Sequence, residues 1–215
     1  MQRHYGLVVL ALCASASLIA PAIATAGSGT FMTVNDFFFN PKKPPPNYVS
    51  GIHSYVWSEG ATAPTSEHNV RQQKGLFRSG PPESDFGSYS VVASAGRFPY
   101  YCEVHRDQGM TGAISVKPAY GNDPVGDEFT ITWANANTTT GEVFDVRYRV
   151  GEQGHWTQWK VDTATFNDVF GAGNQPEKIV EGRLYTFEAR SQKSQAQDAR
   201  VSEWSPRLYV VEEST

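Results

Sequence analysis

Apolar residues along this chain recur at every second position in short runs, and each run is broken by glycine, proline or small polar residues. In the first half, Phe31–Asp36, Ser54–Ser58, Ser88–Ala93, Phe98–Cys102 and Ala113–Lys117 read as strands. Pro41 and the segment Lys42-Lys43-Pro44-Pro45-Pro46 must be loop or sheet edge, because successive prolines cannot donate to a ladder. No helix-period stretch of useful length interrupts the pattern, so a small β-sandwich or barrel is expected. The second half alternates more cleanly. Phe129-Thr130-Ile131-Thr132-Trp133, Phe144–Val150 and Tyr185–Arg190 each place apolar side chains on one face, and Leu208–Val211 is an apolar run. Their spacing and turns fit a seven-strand sandwich. The whole chain reads as all-β.

Length and charge divide the pattern into two units. A chain of 215 residues suits two domains of ordinary size. Lys plus Arg number 18 against 22 Asp plus Glu, and without a basic excess there is no electrostatic footprint for nucleic acid. Residues 27–120 carry a net +1 and residues 121–215 a net −6. The shift falls at Lys117-Pro118-Ala119-Tyr120-Gly121-Asn122-Asp123-Pro124, which is punctuated like a linker. The expected organisation is a leader at 1–26, a first domain at 27–118, a linker at 119–124 and a second domain at 125–215.

The leader changes the meaning of the cysteines. Arg3 supplies a positive start, an apolar run extends from Gly6 to Ala24, and Ala24-Thr25-Ala26 is a small-residue cleavage site. A transmembrane anchor is the rival reading, but Pro21, the Ala/Ser content and the cleavage pattern favour removal, leaving no membrane span. A lipid attachment at Cys13 is disfavoured by bulky Leu12 beside it. Removal makes the protein secreted, extracellular or periplasmic. It takes Cys13 away and leaves Cys102 as an orphan thiol in an oxidising compartment. Such a thiol serves as a ligand, a reactive group or an intermolecular bond.

Cys102 stands in Tyr100-Tyr101-Cys102-Glu103-Val104-His105-Arg106-Asp107-Gln108-Gly109-Met110, which presents Cys-x2-His-x4-Met between two expected strands. Upstream lies His68 in Glu67-His68-Asn69-Val70. One thiolate, two imidazoles and a thioether make the ligand set of a mononuclear blue-copper site, with a roughly trigonal His2Cys plane and a long axial Met. Thiolate and thioether favour Cu(I), imidazole suits both oxidation states, and a short loop at a sandwich end can turn three side chains onto one ion. Zinc is the competing metal, with Glu103 or Asp107 substituting for the thioether that zinc binds poorly. A Cys102–His105 nucleophilic dyad is a second rival.

Across about residues 30–118 the sequence resembles the cupredoxins, particularly the plastocyanin-like ones, on His68-Asn69-Val70 and on the aromatic-Cys-x2-His-x4-Met-x-Gly run from Tyr101 to Gly112. The resemblance implies a Greek-key β-sandwich, copper ligation by His68, Cys102, His105 and Met110, and a loop-bracing role for Asn69. It also implies electron exit at His105, with Tyr101 as a second route. Glu103-Val104 departs from the Ser-Pro of plant plastocyanins, and the Pro41–Pro46 segment has no obvious counterpart, so the docking surface differs. Residues 122–213 resemble a fibronectin type III (immunoglobulin-like) domain, on Trp133, on Tyr185 at the tyrosine-corner position and on Ser202-Glu203-Trp204-Ser205-Pro206. Arg-Gly-Asp is absent from the chain.

Histidine content narrows the function. Beyond the leader only His53, His68, His105 and His155 remain, too few for a multicopper oxidase or a copper nitrite reductase. His53 and His155 read as ordinary surface residues. A four-ligand copper without an open position makes a carrier rather than an enzyme, exchanging single electrons with redox partner proteins. The alternative from another class is an extracellular adhesion or binding protein. It would act through the fibronectin-like half on a protein or glycan ligand, with copper structural, stored or absent.

Overall fold

Alternation becomes strand wherever one face of the chain has a core to cover. The computed structural model describes residues 28–49, 53–60, 65–122, 128–193 and 200–211. The expected leader with Cys13, and the Asp123-Pro124 end of the expected linker, lie outside the described residues. The first half contains β1 (Ser28–Asn35), β2 (Phe38–Asn40), β3 (Asn47–Tyr48), β4 (His53–Glu59), β5 (Arg71–Gln72), β6 (Ser88–Val92), β7 (Gly96–Tyr101) and β8 (Thr111–Lys117). They form two sheets, ordered β2-β1-β4-β6 and β3-β8-β7-β5. β1 runs parallel to β4 from Ser28 opposite His53 to Val34 opposite Glu59, and the β7–β8 pair is antiparallel.

The second half contains β9 (Ala119–Asn122), β10 (Phe129–Thr132), β11 (Val143–Val150), β12 (Thr157–Thr163), β13 (Asn167–Phe170), β14 (Leu184–Gln192) and β15 (Leu208–Val211). Its sheets are ordered β13-β10-β9 and β12-β11-β14-β15, seven strands among the described residues, six of them inside the expected second domain. The described residues are all-β apart from two short 3-10 turns, and no helix among them is long and apolar enough to cross a membrane.

Two differences from the sequence reading have physical causes. Ala119–Asn122, read as linker, is an edge strand paired with β10, Thr132 opposite Ala119 and Phe129 opposite Asn122. An edge position tolerates Gly121 and an exposed Tyr120, so composition there imitates a linker. β12 is exposed or half-exposed along its length and therefore lacks alternation, although it pairs with β11.

Each sandwich encloses an aromatic centre. Trp57 packs edge-on against Tyr100, with ring centroids 5.1 Å apart, in the first. Phe129, Phe170, Tyr185 and Phe187 cluster in the second. Tyr185 forms the tyrosine corner, its hydroxyl accepting from the Val180 amide at 2.9 Å and donating to the Lys178 carbonyl at 3.4 Å. Trp156 and Trp159 part company: Trp159 packs onto Trp133 and Phe170, while Trp156 stacks against Arg147 and Arg149.

The units meet through backbone and polar contacts at the turn between β6 and β7. The Ala95 amide donates to the Trp133 carbonyl (2.7 Å), the Thr139 amide to the Val92 carbonyl (2.9 Å), and Arg97 and Glu203 exchange both backbone bonds and an ion pair. This junction lies at the start of β7 and Cys102 directly follows the end of that strand. At ~3.3 Å per residue the strand separates the two by roughly 20 Å.

Candidate metal centre

The loop after β7 is shaped by its own backbone. The Cys102 amide donates to the Met110 carbonyl (3.1 Å), and the His105 carbonyl accepts from both Gln108 and Met110 (3.1 Å each). A single 3-10 turn, Arg106–Gln108, ends at Gly109, whose φ of 85° lies where a side chain would be strained. Tightness of this loop brings Cys102, His105 and Met110 to one end of the sandwich. His68 arrives from the other side of β7. The register Arg71 opposite Tyr101 and Gln72 opposite Tyr100 sets His68–Asn69 just beyond the strand end, beside Cys102–Glu103.

His68, Cys102 and His105 converge. Cys102 Sγ lies 3.9 Å from His68 Nδ1 and 3.7 Å from His105 Nδ1, and one donor atom from each residue falls within 4.8 Å of the others. Cys102, His68 and Met110 are fully buried and His105 is 4 % exposed. Met110 is bound to the cluster by its backbone and lies in the core beside it. An ion bonded at roughly 2.0–2.1 Å to nitrogen and 2.3 Å to sulfur, at about 120°, sets N···S near 3.8 Å. The residues fit such an ion.

Surrounding groups orient the donors. His68 Nε2 lies 3.2 Å from Asp36 Oδ1. An ionised carboxylate only accepts, so Asp36 holds the imidazole proton on Nε2 and leaves the Nδ1 lone pair facing Cys102. Hydrogen bonds from Ser66 and Thr65 keep the Asp36 carboxyl well below the usual carboxylate range. Burial, with the neighbouring His68, pushes His105 below its ordinary value, which favours the neutral, ligating imidazole. Phe37 stands edge-on to His105, ring centroids 5.0 Å apart.

Asn69 ties the His68 segment to the residue after Cys102. Its Oδ1 accepts from the Glu103 amide at 2.8 Å, and its Nδ2 donates to the Gly80 carbonyl at 2.9 Å and to the Glu103 carboxylate. Glu103 also receives Arg71 and Arg78. Burial raises its carboxyl, but these three donors more than reverse that and hold it at about 2. Glu103 is thus turned to cations rather than to Cys102, Asp107 is exposed, and Asp36 occupies the far nitrogen of His68. Glu103 and Asp36 are engaged with groups other than the sulfur, and Cys102 is fully buried.

The sequence reading missed Asp36 and the role of Glu103. Asn35-Asp36 marks a turn between two apolar runs, but nothing local says that this turn lies beside His68. Tyr101 is half-buried on the outer face of β7 under the Arg106 guanidinium, 4.6 Å from its ring centroid. His53 is held by Thr30 and Asn47, and His155 is exposed; neither joins the cluster.

No family model matches the chain, and no curated protein matches it. Solved structures similar to it include a reduced-state amicyanin mutant, 20% identical, covering 45% of this chain and 87% of that one, with a TM-score of 0.31. Another is a cytokine receptor complex, 13% identical, covering 86% of this chain and 96% of that one, with a TM-score of 0.35. At TM-scores below 0.5, the case for function rests on the chain's own residues.

Proposed function

We propose that this protein is a secreted type 1 copper protein that carries single electrons. The observation supporting the reading is the buried convergence of His68, Cys102 and His105 at 3.7–3.9 Å from sulfur to nitrogen. Cys102 would supply the covalent thiolate, His68 and His105 the two imidazoles, and Met110 the weak axial thioether. Copper bound there would alternate between Cu(I) and Cu(II), passing one electron each way. Asp36 holds His68 in its ligating tautomer, while Asn69 and Glu103 hold the loop, so the donors need little movement when charge changes. Burial keeps water and substrates from the sulfur, which favours a carrier over an enzyme. His105, 4 % exposed beneath Phe37, is the donor nearest solvent and the natural exit.

Copper loading followed by visible spectroscopy tests the reading. An intense blue thiolate-to-copper band supports it. A colourless protein with stoichiometric copper refutes a type 1 site.

A further inference from the structure

The Pro41–Pro46 segment has no role in the centre described above, yet it is fastened to the sheet that carries Cys102. The Ala113 amide of β8 donates to the Lys42 carbonyl at 3.1 Å, and Lys42 Nζ donates to the Gly109 carbonyl at 3.2 Å. The lysine pair therefore forms one wall of a cavity of about 290 Å³ on the outer face of β7 and β8. Alternation along β7 buries Phe98 and Tyr100 and turns Arg97 and Tyr101 outward to line it. Arg106, on the turn that follows His105, closes the far side above the Tyr101 ring.

The charge of this groove is one-sided. Lys42, Lys43, Arg97 and Arg106 line it, and among the described residues no acidic side chain does. Glu203 neutralises Arg97 from the second sandwich, which leaves Lys42, Lys43 and Arg106 without an ion pair among the described residues, in a chain whose net charge is −4. A concentrated positive wall on an acidic protein selects its partner by charge complementarity and accelerates encounter. Its aromatic floor, Tyr101, is joined through the backbone to Cys102.

We propose that this groove docks the acidic surface of a one-electron partner protein and places it over Tyr101, one residue from the ligand sulfur. The proposal rests on the electron-carrier reading for the transferred charge but not for the docking. One electron passes between the loaded centre and the partner, and no bond forms or breaks.

Two measurements separate the groove from the centre. The first is binding of a hexaglutamate peptide to the metal-free protein, followed calorimetrically at low ionic strength. The double variant Lys43→Glu/Arg106→Glu is expected to weaken it at least about tenfold, whereas Arg183→Glu, a distant charge reversal, leaves it within about twofold. The second is the rate at which hexacyanoferrate(III), an anionic one-electron oxidant, oxidises the reduced copper-loaded protein. The double variant is expected to slow it about tenfold at low salt, and the difference should collapse in 0.5 M salt.

Absent peptide binding, or equal loss in Arg183→Glu, overturns the proposal. Salt-sensitive self-association that the double variant abolishes, with no peptide binding, would also overturn it by making the acidic half of a second copy the occupant. A protein that never turns blue yet binds the peptide through these cations refutes the electron-carrier reading and leaves the docking groove standing.

Discussion

Between β11 and β14, Asp145 is 3 % exposed and accepts from Arg190 (2.8 Å), Gln192 (3.1 Å) and the Asp162 amide (3.0 Å). Glu188 beside it receives Arg147 and Arg207, and Arg147 lies over Trp204 and Trp156. At the end of the first sandwich the buried polar groups behave differently. His68 and His105 turn nitrogens toward Cys102 at 3.7–3.9 Å, and no residue among them is a permanent cation. Opposite charges in the second sandwich close on one another, which is architecture. Electron-pair donors in the first converge on a common point, an arrangement that could bind a metal. The contrast shows that burial of polar groups becomes informative only once the sign and direction of each group are known.

The largest expected effect comes from removing the soft donor. Cys102→Ser should abolish the blue band and sharply weaken Cu(I) retention, measured by spectroscopy and chelator competition, because a hydroxyl cannot replace a covalent thiolate. His53→Ala and His155→Ala should leave the spectrum unchanged, and a bleached control would break the distinction between converging and bystander histidines. Next, Glu188→Ala leaves Arg147 and Arg207 without their carboxylate. It should cost about 2–3 kcal/mol in chemical denaturation while the copper spectrum stays constant. A spectral change would mean that the two regions are coupled.

Asp36→Asn tests whether orientation of the donors matters beyond their identity. Losing the group that fixes the His68 proton should weaken copper binding about tenfold with little change in the melting temperature of the metal-free protein. Full affinity would reduce Asp36 to a turn residue. Met110 should tune rather than hold the ion. Voltammetry is expected to order the potentials Leu above Met above Gln for Met110→Leu, wild type and Met110→Gln, since the harder oxygen favours Cu(II). Equal potentials would place Met110 outside the coordination sphere.

The smallest effect concerns Glu103, which lies beside the centre but behaves like the closed pairs of the second sandwich. Its folded carboxyl titrates at about 2 against 4.5 ordinarily, so its contribution is present above pH 4.5 and fades as pH falls through about 2. Asp36 shifts in the same direction. Melting temperature should therefore fall between pH 4.5 and 2, and Glu103→Gln should flatten part of that fall. An unaltered acid profile would show that the Arg71 and Arg78 contacts contribute nothing.

Legibility followed burial. β1, β4, β6, β7 and β8, and β10, β11, β14 and β15, lie where alternation predicted strands because each covers a core on one face. β9 and β12 were not legible, since edge pairing leaves little one-sided burial to read. Two units were expected from length and from the shift of charge along the chain. The Ala95–Trp133 and Arg97–Glu203 bonds connect them through backbone groups, which no side-chain pattern announces. Within the centre, the approach of Cys102 and His105 was readable because residues three apart in a short loop come together whatever the rest of the chain does. The bonds of Asn69 to Glu103, 34 positions on, follow from no local pattern.

By itself, the sequence determined the all-β class, most of the strands and the donor types that converge, because periodicity and short spacing are local properties. Tertiary structure decided that His68 meets Cys102 from across β7, that Asp36 rather than Glu103 orients it, and that a lysine pair from a proline-rich loop faces Tyr101. Those meetings join residues 32, 34 and more than 50 positions apart. They exist because sheet order and register place distant segments side by side, and neither order nor register is written in any single strand.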